Sequence, residues 1–181
     1  LPQSGTQNAT VLALIQTLFD IVCLRKGPDA IPHSTFLFAI IAAMWVIAGA
    51  VMTLMTAELD QKDFFIGTLT GIAGLLVYAA IVVLSGRRAR LMQAIMAFLG
   101  CGALLSFLFV AGNVFLTPFL SENISSLVMT LVLLWTVPVE GHIISRTIER
   151  HWYVGVVIAV AVFAFQMMLY SVMDPATTSA I

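Results

Sequence analysis

Apolar positions gather in five long runs, Thr35–Thr56, Phe64–Ser85, Leu91–Phe115, Ser126–Ser145 and Trp152–Met173. Each is long enough to cross the hydrocarbon core of a bilayer as a helix, which takes about 20 residues. Glu140 is the one charged residue inside them. The links at 57–63, 86–90, 116–125 and 146–151 are short, and each carries charge. Links of this length make successive helices antiparallel neighbours. The pattern predicts an all-α membrane protein, a five-transmembrane-helix bundle over residues 35–173. A cytoplasmic segment, 1–34, precedes it, and a short external tail, 174–181, follows. No room is left for a second, soluble domain.

Residues 1–34 follow a different pattern. Leu1–Asn8 is polar, with Pro2 and Gly5, and reads as a flexible start. No basic stretch precedes the first apolar run, so it does not read as a secretory signal peptide. Ala9–Leu24 predicts an amphipathic interfacial helix. At 100° per residue Ala13, Gln16, Thr17 and Asp20 share one face, and Val11, Leu14, Ile15, Leu18, Phe19, Ile21 and Val22 cover the rest. Arg25 and Lys26 suit the last turn of a helix, and Gly27–Pro28 is a stop signal. Three readings stay open: a helix on the inner leaflet, a docking helix for a partner, and a helix packed against the cytoplasmic ends of its own bundle.

Composition narrows the class. The 181 residues are 61% hydrophobic and only 9% charged. A soluble domain carries about a quarter charged residues, which excludes that class here. Disorder needs low hydrophobicity, and nucleic-acid binding needs a basic field, so both are excluded as well. The ten-residue alternation of an outer-membrane barrel is missing. Cys23 and Cys101 read as unpaired thiols, because two cysteines make no disulfide scaffold.

Charge sets the expected orientation. Arg25, Lys26, Arg87, Arg88, Arg90, Arg146 and Arg150 fall on one side of a five-span layout, and Lys62 alone on the other. Glu58, Asp60, Asp63, Glu122 and Asp174 join Lys62. Basic flanks are retained in the cytoplasm, which predicts a cytoplasmic N-terminus and a periplasmic C-terminus. Arg87, Arg88 and Arg90, with Arg25 and Lys26, are also candidates for anionic lipid head groups, but an ordinary positive-inside loop is the favoured reading.

Small residues mark candidate packing positions. Gly67, Gly71 and Gly74 in the second span, and Gly155 with Ala159 in the fifth, have the spacing that lets helix backbones approach closely. Trp45, Trp135 and the methionines read as packing rather than a cofactor box. Gln93, Asn113 and Gln166 read as interhelical hydrogen-bonding groups. His33, His142 and His151 lack compact ligand spacing, so no metal and no cofactor is expected.

The stretch from Trp135 to His142 carries the most chemistry. Pro138 removes a backbone donor and crowds the carbonyl of Leu134, which predicts a kink, and Gly141 weakens the helix further. Glu140 is an ionisable group inside a span, a functional position by default. A broken helix beside an acid is also how transporter sites are built. The favoured reading is nonetheless structural. Glu140 stands six residues from Arg146, so it is placed to pair with Arg87, Arg88 or Arg90, with His142 and Arg146 in the same polar cluster. Phosphate loops, GxSxG, HExxH and paired carboxylates are all missing from the sequence, so no enzymatic activity is expected.

Three stretches together carry a resemblance. They are Phe19-Asp20-Ile21 through Arg25-Lys26-Gly27-Pro28 to Ile31-Pro32-His33-Ser34, Gln93 with Gly100-Cys101-Gly102-Ala103-Leu104-Leu105, and Trp135 through Gly141-His142-Ile143-Ile144-Ser145-Arg146. They resemble a family of small, uncharacterised proteobacterial five-span inner-membrane proteins. The layout alone is similar to the Yip family, without its Asp-Leu-Tyr-Gly-Pro motif. The first resemblance implies an inner-membrane location, and both imply a partner-binding or scaffolding role. The leading expectation is therefore a non-enzymatic accessory or assembly subunit. Its expected partners are membrane lipids and other membrane-protein subunits, with a homo-oligomer left open. The alternative is a small transporter or proton-coupled carrier built on Pro138 and Glu140.

Overall fold

A computed structural model describes residues 4–55, 61–116, 119 and 122–174, with the side chains of all but 4–12, 61, 63, 116 and 122. The described residues form seven α-helices: α1 (Ser4–Val22), α2 (Thr35–Met55), α3 (Gln61–Leu84), α4 (Leu91–Leu116), α5 (Glu122–Leu134), α6 (Thr136–Ile148) and α7 (Trp152–Met173). Five segments are long and apolar enough to span a membrane, with α5 and α6 together making the fourth. The chain is a multi-pass helical membrane protein. Its helix bounds lie within a few residues of the apolar runs, since a helix is the one open-ended way to satisfy every backbone polar group in lipid.

Local chemistry sets the ends. Ser34 caps α2, its Oγ accepting from the Leu37 amide at 3.3 Å. Gly86 takes φ +75° in the tight turn after α3. Glu149 ends α6 in the left-handed conformation, and the Arg150 amide donates back to the Ser145 carbonyl. The fourth span breaks at Trp135. Pro138 has no N–H to offer the Leu134 carbonyl, and the next bond, from the Val139 amide to the Trp135 carbonyl, is long at 3.4 Å. Gly141 adds nothing to this kink, contrary to expectation. It lies inside unbroken α6, where an added β-carbon would meet the Val156 backbone at 2.9 Å.

α4 is the central helix. Its Met96, Ala97, Phe98, Leu99, Cys101, Ala103 and Leu105 are all buried. α2 packs along one side of it, α5 and α6 along another, and α7 closes against α6 and α3. Outward-facing Leu54, Phe65, Leu76, Leu131 and Val157 are more than half exposed, as expected of side chains that meet lipid.

The N-terminal segment departs most from expectation. α1 begins at Ser4, within the stretch read as a flexible start; residues 1–3 lie outside the described part. It ends at Val22 rather than at Gly27–Pro28. Leu24 turns the chain with φ 61°, and the Arg25 and Lys26 amides both donate to the Asp20 carbonyl. Of the three readings, packing against its own bundle is the one observed, and the contact is deeper than the cytoplasmic ends. Leu18 is 2% exposed and occupies the notch at Gly100, where an added β-carbon would come within 2.6 Å of it. The Cys101 thiol faces the Leu18 carbonyl at 3.9 Å. Cys101 is ten residues into α4, about 15 Å along its axis. The indole N–H of Trp135 donates to the Val22 carbonyl at 3.1 Å, and His142 Nε2 lies 3.0 Å from the Lys26 carbonyl. Ile15 and Phe19 point away from the bundle.

Candidate functional site

Glu140 is carried by the second turn of α6, eight residues before the end of that helix. Opposite it on α3 stands Tyr78, six residues before the end of its own helix. The Tyr78 hydroxyl donates to Glu140 Oε2 at 2.7 Å. Phe98 of α4 stacks on the Tyr78 ring, with centroids 4.3 Å apart and planes inclined by 15°. The stack holds the phenol edge toward the carboxyl, so three helices define one polar contact. Tyr78 itself is only 3% exposed. Glu140 is half-buried and lines a cavity of about 110 Å³, together with Trp45, Gly74, Gly102 and Gln166.

The expected ion pair is not formed. Among the described residues Glu140 has no salt bridge. Arg87 and Arg90 both pair instead with Glu149, Arg90 at 2.7 Å. The reason is geometric. Glu149 sits at the α6 terminus, level with the α3–α4 turn, whereas Glu140 lies about 13 Å deeper by helical rise. Arg88 and Arg25 are exposed, and Lys26 pairs with Asp20 at 2.8 Å. His142 and Arg146 do not join Glu140 either. His142 is buried against the Lys26 carbonyl, and Arg146 lies over Gly27, with its own carbonyl accepting from Arg90 at 3.4 Å. The three residues of the expected polar cluster therefore make three separate contacts.

The glycines also divide. Gly155 and Gly141 face each other so closely that a β-carbon on Gly155 would collide with the Gly141 carbonyl oxygen, and Ala159 is fully buried in the same α6–α7 seam. Gly71 lies against Trp45, and Gly74 against the Gln166 side chain. Gly67 is a correction to the sequence reading. Nothing lies within 4 Å of its β-position, and it lines a cavity instead of a helix contact.

Gln166 Nε2 donates to the Thr70 carbonyl at 3.2 Å, joining α7 to α3. Gln93 reaches the Ile31 carbonyl at 2.8 Å, which fastens the α1–α2 link to α4 rather than one helix to another. Cys23 and Cys101 are free thiols. No protein-family model matches the chain, and neither curated proteins nor solved structures provide a match.

Tyr78 escaped the sequence reading. A signal was present: a tyrosine hydroxyl buried in a span needs a hydrogen-bond partner, and Glu140 is the one acid available there. Trp45 reads in the sequence as a packing residue, and only its position between cavities sets it apart.

Two endings of the bundle differ in charge. One carries Arg87, Arg90 and Glu149, with Arg146 and the Lys26–Asp20 pair beside them. At the other, Lys62 binds Asp174 at 2.7 Å. Glu58 and Asp60, expected there too, lie outside the described residues.

Proposed function

We propose that this protein handles protons, or a small monovalent cation, inside the membrane through Glu140. The observation that carries this reading is the Glu140–Tyr78 pair itself: an intramembrane carboxyl whose partner is a neutral hydroxyl at 2.7 Å. A carboxyl in that setting is complete when it holds a proton or when a cation sits against it. A permanent ion pair would have closed the site, and none is present among the described residues. The break at Trp135 supports the reading, since a broken helix bearing an acid is how transporter sites are built.

Cavity size narrows the cargo. About 110 Å³ is room for a few waters, at about 30 Å³ each, and falls short of the roughly 300 Å³ at which small-molecule sites begin. A proton or a small ion fits, and an organic solute does not. We put the arginine end in the cytoplasm on the strength of the basic asymmetry, and the protein in a bacterial inner membrane on the resemblance its three sequence stretches carry.

The test is proton uptake into sealed proteoliposomes under an imposed membrane potential, read with an internal pH dye. Wild-type protein is expected to exceed empty vesicles, and Glu140→Gln to fall to their level. Equal uptake by wild type and Glu140→Gln sinks the proposal. The accessory-subunit reading is tested alongside by extraction in mild detergent and sizing, where a stoichiometric larger complex would favour it.

A further inference from the structure

Among the described residues Trp45 of α2 lines three cavities between the helices. The largest of the three, about 330 Å³, is bounded by Thr53, Phe64, Thr68 and Tyr170. These residues sit late in α2, early in α3 and late in α7, so the cavity lies toward the end of the bundle that carries Lys62 and Asp174. The Glu140 cavity lies further inward; among the described residues Trp45 is the one that lines both, and a cavity of about 140 Å³ between them shares Met52 and Ser106 with the outer one and Gly102 with the inner one. Its indole is wedged between two glycines. An added β-carbon at Gly71 would lie 3.0 Å from Cζ2, and one at Gly102 3.6 Å from Cδ1 and Nε1. The ring thus occupies space that side chains on α3 and α4 would otherwise fill. Beyond Glu140, toward the arginine end, Val82, Met96, Ile143 and Ile144 are fully buried in one apolar cluster and form a plug.

We infer that Trp45 controls access to Glu140, and that access runs only from the end bearing Lys62 and Asp174. This rests on Glu140 being the working acid. The indole is a rigid plate held by van der Waals contact on two glycine faces, with no hydrogen bond to fix it among the described residues, so rotation would join the outer cavity to the inner one. The plug supplies the opposite seal, because a water file cannot form through packed aliphatic side chains.

Single cysteines report this directly, in a chain carrying Cys23→Ser and Cys101→Ala. Thr68→Cys lines the outer cavity and Leu75→Cys the inner one. A membrane-impermeant maleimide is added to either side of sealed vesicles. Thr68→Cys is expected to label from the side that also labels Lys62→Cys. Leu75→Cys is expected to be protected with Trp45 in place, and to label several-fold faster in Trp45→Ala, from that same side only. Should Trp45→Ala fail to fold, Trp45→Phe takes its place with the same criterion. The inference is overturned if Leu75→Cys labels as fast as Thr68→Cys with Trp45 intact, stays protected once the indole is gone, or labels from the arginine side. Labelling follows water and not flux. The expected pattern without Glu140-dependent uptake would therefore keep the gate and remove the proton-handling reading.

Discussion

Replacing Gly155 by alanine and, separately, Gly67 by alanine sets two outwardly equal positions against each other. Both glycines begin a small-xxx-small step in a span, Gly67–Gly71 and Gly155–Ala159. At Gly155 the new methyl would collide with the Gly141 carbonyl oxygen and come within 2.7 Å of the Ser145 β-carbon. The obstacle is backbone, so no rotamer relieves it and α6 must move off α7. Overpacking typically costs about 1–3 kcal/mol, and a backbone clash belongs at the upper end, about 3 kcal/mol. At Gly67 the methyl meets nothing within 4 Å. What remains there is helix propensity, which favours alanine by about 0.5–1 kcal/mol. At about 2–4 °C per kcal/mol for a chain of this size, Gly155→Ala should lower Tm by about 6–12 °C. Gly67→Ala should leave Tm unchanged or raise it by about 1–4 °C. Thermal unfolding of the detergent-purified protein, followed by loss of the monodisperse elution peak, reads both. Equal destabilisation at the two sites, or no loss at Gly155, would show that the α6–α7 seam is not as described.

Tyr78→Phe removes the hydrogen-bond partner of Glu140 and should cost about 1–3 kcal/mol, seen as a lower Tm; a variant as stable as wild type would mean the pair is not formed. Leu18→Asp should free α1 from the bundle, whereas Phe19→Asp should not, because Leu18 is 2% exposed and Phe19 55%. Hydrogen exchange over 13–22 reads the difference, and equal release by both would contradict the packing of α1 on α4. Glu149→Gln breaks both arginine pairs at the bundle end, yet these side chains are about 40% exposed, so the loss should stay within about 1 kcal/mol and shrink further with added salt. A larger, salt-independent loss would mean that the network is buried by something bound there.

The five spans and the break near Pro138 were legible in the sequence, because lipid leaves a chain few options. Backbone groups must be satisfied within each segment, so apolar length alone marks a helix, and a missing N–H alone marks a break. Glu140 stood out for the same reason, as the one charge in an apolar run. Tertiary structure decided everything that depends on which faces meet. Nothing in the spacing of Gly67 and Gly155 separates an open cavity wall from a backbone seam, since both have small neighbours four residues on. The arginines looked available to Glu140 along the chain, but the α6 terminus presents Glu149 to them first, and helical rise leaves Glu140 level with Tyr78. The helix at the N-terminus was predictable, but the notch at Gly100 that receives Leu18 lies 82 residues away in α4. Periodicity reports the apolar face of a helix, and only the neighbouring helix says whether protein, lipid or an open cavity covers it.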